Sequence, residues 1–109
     1  LSVGGTGSAY NPGAGGTSNT AFGKNAGDAL ASGGNYNSFF GEEAGGATTT
    51  SDYNVAIGFD CLKSIVSGGE QNTAVGALSG DALTTGDANV FMGVGAGGAT
   101  EDVDYDKWS

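Results

Sequence analysis

Adjacent carboxylates at Glu42 and Glu43, a single thiol at Cys61 and an acidic group of Glu101, Asp102 and Asp104 are the residues here that could carry chemistry. Two carboxylates flanking a glycosidic bond would give acid–base hydrolysis. Neighbouring side chains on a strand or turn diverge, however, and no second acid recurs at a matching place, so Glu42 and Glu43 read as a solvated turn. The chain has no histidine, which removes the usual general base, the Ser-His and Cys-His arrangements and the commonest metal ligand. A lone Cys61 makes no internal disulfide and reads as a buried, inert thiol. No catalytic residue and no cofactor is expected, and the chain reads as a non-enzyme.

Calcium is the next chemistry to weigh. Gly15-Gly16, Gly33-Gly34 and Gly68-Gly69 resemble the start of the Gly-Gly-x-Gly-x-Asp calcium-roll motif. The Asp of that motif would fall at Thr20, Ser38 and Thr73, so the oxygen ligands are missing. For Glu101, Asp102 and Asp104 a solvated acidic turn is preferred over a surface cation site, and no metal is expected. Thr48 to Ser51 do not recur coil by coil as an ice-binding array would need. No Gly-Lys-Ser/Thr follows the glycine-rich stretches, so they are not phosphate loops.

Whatever this chain presents is positioned by a repeat. Asn19, Asn37, Asn54, Asn72 and Asn89 each open a box: NTAFG, NSFFG, NVAIG, NTAVG and NVFMG, spaced 18, 17, 18 and 17 residues apart. With Asn as position zero, position four is always glycine: Gly23, Gly41, Gly58, Gly76 and Gly93. Position seven is small throughout (Ala26, Ala44, Cys61, Ser79, Ala96), as is position ten. Units three apart are closer still: NTAFGKNAGDAL and NTAVGALSGDAL agree at eight of twelve places, which points to duplication of a three-unit block. A period of this size means one structural unit stacked on itself, a surface-presenting rod and not a pocketed enzyme.

Composition bounds the alternatives. The 23 glycines are atypical of a globular domain, and large aliphatics are few, so backbone pairing or other chains must supply much of the order. A formal charge of −9, with three lysines and no arginine, opposes nucleic acid and anionic membrane faces. No apolar run is long enough to span a bilayer. Without an initiator Met or a signal-peptide pattern, a fragment or processed product is expected.

Frequent glycine and the lack of three-four apolar spacing disfavour helix. The box itself favours strand, and a second short strand is expected at positions nine to twelve, as in Asp28–Ala31 and Asp81–Thr84. Two strands and two turns make one coil of a parallel β-roll, and five coils at ~4.8 Å give a rod of ~24 Å. The fold class expected is all-β, a parallel β-roll or solenoid of about five 17–18-residue coils. Asn suits a left-handed turn position or a bond from one stacked Asn to the next. Glycine at position four suits a sharp bend or a close backbone approach.

Both faces of the box are apolar. Position three holds Phe22, Phe40, Ile57, Val75 and Met92, and position two holds Ala21, Phe39, Ala56, Ala74 and Phe91. One face fills the roll. The other needs a cover, and neighbouring subunits are the expected one. Position two (Ala21, Phe39, Ala56, Ala74, Phe91) is assigned to that packing between three copies.

These boxes resemble the Asn-Ser-Val-Ala-Ile-Gly repeats in the heads of YadA-like trimeric autotransporter adhesins, with NVAIG at 54–58 the closest match. They resemble even more the Asn-Thr-Ala-(apolar)-Gly repeats of bacteriophage tail fibres, including the linking Thr84-Thr85-Gly86, and Gly4-Gly5-Thr6-Gly7 is similar to an element of phage fibres. The resemblance covers residues 19–105 well and the first 18 weakly. It implies a left-handed, homotrimeric parallel β-roll displayed outside the cell or virion.

Three segments follow: 1–18 as a capping lead-in, 19–105 as the five-coil repeat, and 106–109 as a cap or junction. Trp108 marks the break, standing near where a sixth box would start. The box positions are committed to packing, which leaves the turns for recognition. Tyr36, Asp52, Glu70, Asp87, Asp102 and Asp104 are the candidate surface-binding residues, and a cell-surface glycan or host receptor is the candidate partner. For Tyr36, Tyr53 and Tyr105, beside or near the boxes, packing against the turn is preferred over stacking on sugars. The expected function is a structural and adhesive module of a trimeric extracellular fibre, a phage tail fibre before a bacterial adhesin head. A self-assembling extracellular filament and a calcium-stabilised domain of a secreted enzyme are the rival classes.

Overall fold

The computed structural model describes residues 16–97, and in these the chain is all-β. The five boxes form β1 (Thr20–Phe22), β2 (Ser38–Phe40), β3 (Val55–Ile57), β4 (Thr73–Val75) and β5 (Val90–Met92). They lie side by side in chain order, all parallel. The register sets box on box: Ala21 pairs with Phe39, Phe39 with Ala56, Ala56 with Ala74, and Ala74 with Phe91. The result is a parallel solenoid of four complete coils, with β5 opening a further one. The repeat expected at 98–105, the lead-in at 1–15 and the cap at 106–109 lie outside the described residues.

Each strand is three residues long because glycine at position four ends it. Gly58 has φ +134, and a Cβ there would sit 2.7 Å from the Gly76 carbonyl of the next coil. Only glycine lets the two backbones come that close. A turn follows, closed by the N–H of position seven on the carbonyl of position four, as from Ser79 to Gly76 at 3.1 Å. Its third residue is left-handed, at Asn25, Glu43, Asp60 and Leu78. Positive φ at that place alone marks a type II turn.

Among the described residues the second strand expected at positions nine to twelve is absent. Position eight is also left-handed, at Gly27, Gly45, Leu62 and Gly80, and two such residues in close succession cannot extend. Bonds between coils continue through the turns nonetheless. The N–H of Gly45 donates to the Cys61 carbonyl, and that of Leu62 to the Ser79 carbonyl. A coil therefore has one strand and a chain of turns, with pairing carried around most of its perimeter.

The interior is filled by positions two, seven and eleven. Ala21, Phe39, Ala56, Ala74 and Phe91 are buried there with Ala26, Ala44 and Cys61, and with Leu30, Ile65 and Leu83. Volumes are traded within a coil. Phe39 faces Gly45, where a Cβ would lie about 2.5 Å from its ring, whereas the coil with the small Ala56 places the buried Leu62 at the same turn position. Phe91 is accommodated by Gly97 in the same way, a Cβ there lying 2.4 Å from its ring. Such complementarity is what close packing requires of a narrow core.

Candidate interaction surface

The assignment of Ala21, Phe39, Ala56, Ala74 and Phe91 to contacts between copies is corrected by this packing. All five point into the core of the single chain. The turn at position four carries the chain back on the position-two side of the strand, so position two faces the enclosed interior and position three faces out. Phe40, Ile57 and Met92 are accordingly 40%, 42% and 51% exposed. Phe22 stacks on Phe40 with ring centroids 5.4 Å apart and planes 2° from parallel.

Positions one and three form the outward face of the sheet: Thr20, Phe22, Ser38, Phe40, Val55, Ile57, Thr73, Val75, Val90 and Met92. None is charged. Five strands at ~4.8 Å make this face ~19 Å along the stack. Its flank at position five is Lys24 and Glu42 in the first coils, then Phe59, Ala77 and Val94, with Phe59 and Val94 exposed. An uncharged face with an unbroken apolar row at position three, on so acidic a chain, marks a place of contact.

The repeat asparagines are not in the left-handed conformation; the residue before each one is, at Ser18, Tyr36, Tyr53, Gln71 and Ala88. Asn37, Asn54, Asn72 and Asn89 are buried and Asn19 partly so. They form the ladder expected of stacked asparagines. The Asn37 N–H donates to Asn19 Oδ1 at 2.8 Å, that of Asn54 to Asn37 Oδ1 at 2.9 Å, and that of Asn89 to Asn72 Oδ1 at 2.9 Å. Each Nδ2 also donates to a carbonyl three residues before the next Asn: Asn19 to Gly34, Asn37 to Ser51, Asn54 to Gly69 and Asn72 to Gly86. That bond closes a coil whether it holds 17 or 18 residues, because the extra residue falls upstream of the carbonyl. The glycines Gly23, Gly41, Gly58, Gly76 and Gly93 carry φ of 121 to 134° throughout.

The candidate binding residues are divided by the structure. Asp52 is half-buried and its Oδ1 accepts the Asn35 N–H at 2.8 Å, while Asp87 Oδ1 accepts the Glu70 N–H at 2.8 Å. With Asn35 Oδ1, which accepts the Thr17 N–H at 2.9 Å, these make a second ladder two residues ahead of the asparagines. It was legible in the recurrence of Asn or Asp at that place. Tyr36 is 51% exposed and stacks on Tyr53, itself 54% exposed, with centroids 5.1 Å apart. Asp102, Asp104, Glu101, Tyr105 and Trp108 lie outside the described residues. Ser51, in the turn ahead of the third box, is buried, and its carbonyl serves Asn37.

Glu42 is exposed, and Glu43 Oε2 accepts a bond from Asn25 Nδ2 at 2.7 Å, so the pair does not converge on a common site. Lys63 Nζ lies 2.9 Å from Asp60 Oδ2, and that carboxylate raises the lysine pKa. Burial pushes the Cys61 thiol up to about 11, and its Sγ bonds the Ala74 carbonyl at 3.2 Å. A thiol so held is protonated at neutral pH and a poor nucleophile. Among the described residues no group of three His, Cys, Asp or Glu side chains could hold a metal ion, and no helix is long and apolar enough to cross a membrane. The chain matches no family model, no curated protein and no solved structure.

Proposed function

We propose that this chain is a structural and adhesive module of a homotrimeric extracellular fibre, of the kind carried by bacteriophage tails, reaching or recognising a host surface. The carrying observation is the outward face of the sheet, uncharged over five strands and lined by Phe40, Ile57 and Met92. Three parallel rods packed about a common axis would bury that strip in each copy and leave the acidic turns in water. The stacked asparagine ladder supports a stiff, extended element over a pocketed one. A bacterial adhesin head is the same object on a different anchor. The handedness that fits such a trimer is left-handed, as the resemblance of the boxes implies.

Light scattering on the purified chain at micromolar concentration tests the reading. The expected mass is that of three chains, unchanged on dilution. A folded monomer would overturn it. A mass that climbs without a fixed stoichiometry would favour the self-assembling filament instead.

A further inference from the structure

The residue before each repeat asparagine is left-handed whatever its type: Ser18, Tyr36, Tyr53, Gln71 and Ala88 all have φ between 59 and 61°. A bulky side chain gains nothing from that backbone. Two successive coils nevertheless place tyrosine there, and the rings meet at 5.1 Å with their planes 14° apart while each stays about half exposed. The rings stack along the rod, rung on rung. Beyond Tyr36 the next rung carries only Ser18, which is exposed, and beyond Tyr53 it carries Gln71. A serine at that rung cannot cover a ring.

Polar groups stand one residue away. Asn35 and Asp52 precede the two tyrosines, and each spends its Oδ1 on the ladder. Neither the Asn35 Nδ2 nor the second oxygen of Asp52 has a hydrogen bond among the described residues. Exposed aromatic rings, with an amide donor and a carboxylate acceptor on the residues next to them in the chain, are the chemistry that takes a pyranose ring, whose C–H face stacks while its hydroxyls bond. A net charge of −9 disfavours acidic sugars and nucleic acid.

We infer that Tyr36 and Tyr53, with Asn35 and Asp52, form a binding platform for uncharged pyranose units of a cell-surface polysaccharide. This rests on the adhesive part of the fibre reading and gives it a location. A fibre that repeats the platform in each copy multiplies a weak contact.

The test uses the full chain on immobilised dextran, mannan and chitin, with polygalacturonate as the acidic comparison. Tyr36→Ser and Tyr53→Gln are the variants, since neighbouring coils hold those residues at the same backbone position. Retention of the parent on at least one neutral polysaccharide is expected, together with at least a tenfold weaker retention of both variants at unchanged circular dichroism and mass. Loss of the oligomer in either variant would make the stack a contact between copies and overturn the site. Retention on none of the neutral polysaccharides, or equal retention of the variants, would also overturn it. The fibre reading survives those two outcomes if the mass remains that of three chains.

Discussion

Asn72 donates twice to Asn54: its backbone N–H and its Nδ2 both reach the Asn54 Oδ1, at 2.9 and 3.2 Å. The Asn54 Nδ2 meanwhile donates to Gly69 of its own coil at 2.9 Å. One side chain thus ties a coil to its neighbour and closes the coil it belongs to. No other uncharged side chain short enough for this buried place supplies both an acceptor and a donor fork.

Replacing Asn54 with alanine should destabilise the solenoid by about 2–4 kcal/mol, because buried partners on Asn72 and Gly69 are left without their bonds. Asn54→Asp should fare no better, since it keeps the acceptor but loses the donor to Gly69. Urea denaturation followed by circular dichroism reads both. A midpoint unchanged in either variant would mean that the ladder contributes nothing.

Two glycines separate steric need from backbone freedom. At Gly58 a Cβ would press into the Gly76 carbonyl at 2.7 Å, whereas at Gly68, φ +86, nothing lies within 4 Å. Gly58→Ala should break the stack outright. Gly68→Ala should cost about 1 kcal/mol of backbone strain. Thermal melts of the pair should therefore differ widely.

The two faces of the sheet should respond in opposite ways. Phe91→Asp puts a charge into the core of a single chain and should unfold it. Ile57→Asp lies on the outward face and should leave the strand signal intact while lowering the mass in light scattering. If Ile57→Asp kept the parent's mass, the outward face would not be the seam of the fibre.

Alkaline pH should weaken the fold through Cys61. Its thiol is raised by burial from 9.0 to about 11 in the folded chain, so the unfolded chain loses that proton first. The contribution is intact below pH 9 and falls away as pH rises towards 11, on the order of 2–3 kcal/mol in all. Cys61→Ala, the residue found at Ala26, Ala44 and Ala96, should remove that share of the pH dependence. Unfolding free energies at pH 8 and pH 10.5 for both proteins provide the check.

The parallel stack, its register and the asparagine ladder were legible in the chain, because a box repeated every 17 or 18 residues can pair with itself in one way only. Asn and Gly declared their places by recurring without exception. Which face of the strand turns inward was not legible. A strand alternates with period two, and here Ala-Phe and Phe-Phe pairs make both faces apolar, so the pattern carries no sign. The sign comes from the turn at Gly58 and its equivalents, which bends the chain back over position two. A fainter signal did exist: Phe39 and Phe91 each have glycine at position eight, Gly45 and Gly97, and the one large residue at that place, Leu62, accompanies the small Ala56.

The second strand failed for a related reason. Asp28–Ala31 has strand-like neighbours in sequence, yet Asn25 and Gly27 ahead of it are both left-handed, and only the closed coil requires that. The amino-acid sequence by itself determined the period, the pairing and the absence of histidine chemistry, since these depend on residue type and spacing. The tertiary structure decided inside from outside and exposed Tyr36 from buried Ser51, because those depend on the direction in which a backbone bends once its neighbours above and below have closed upon it.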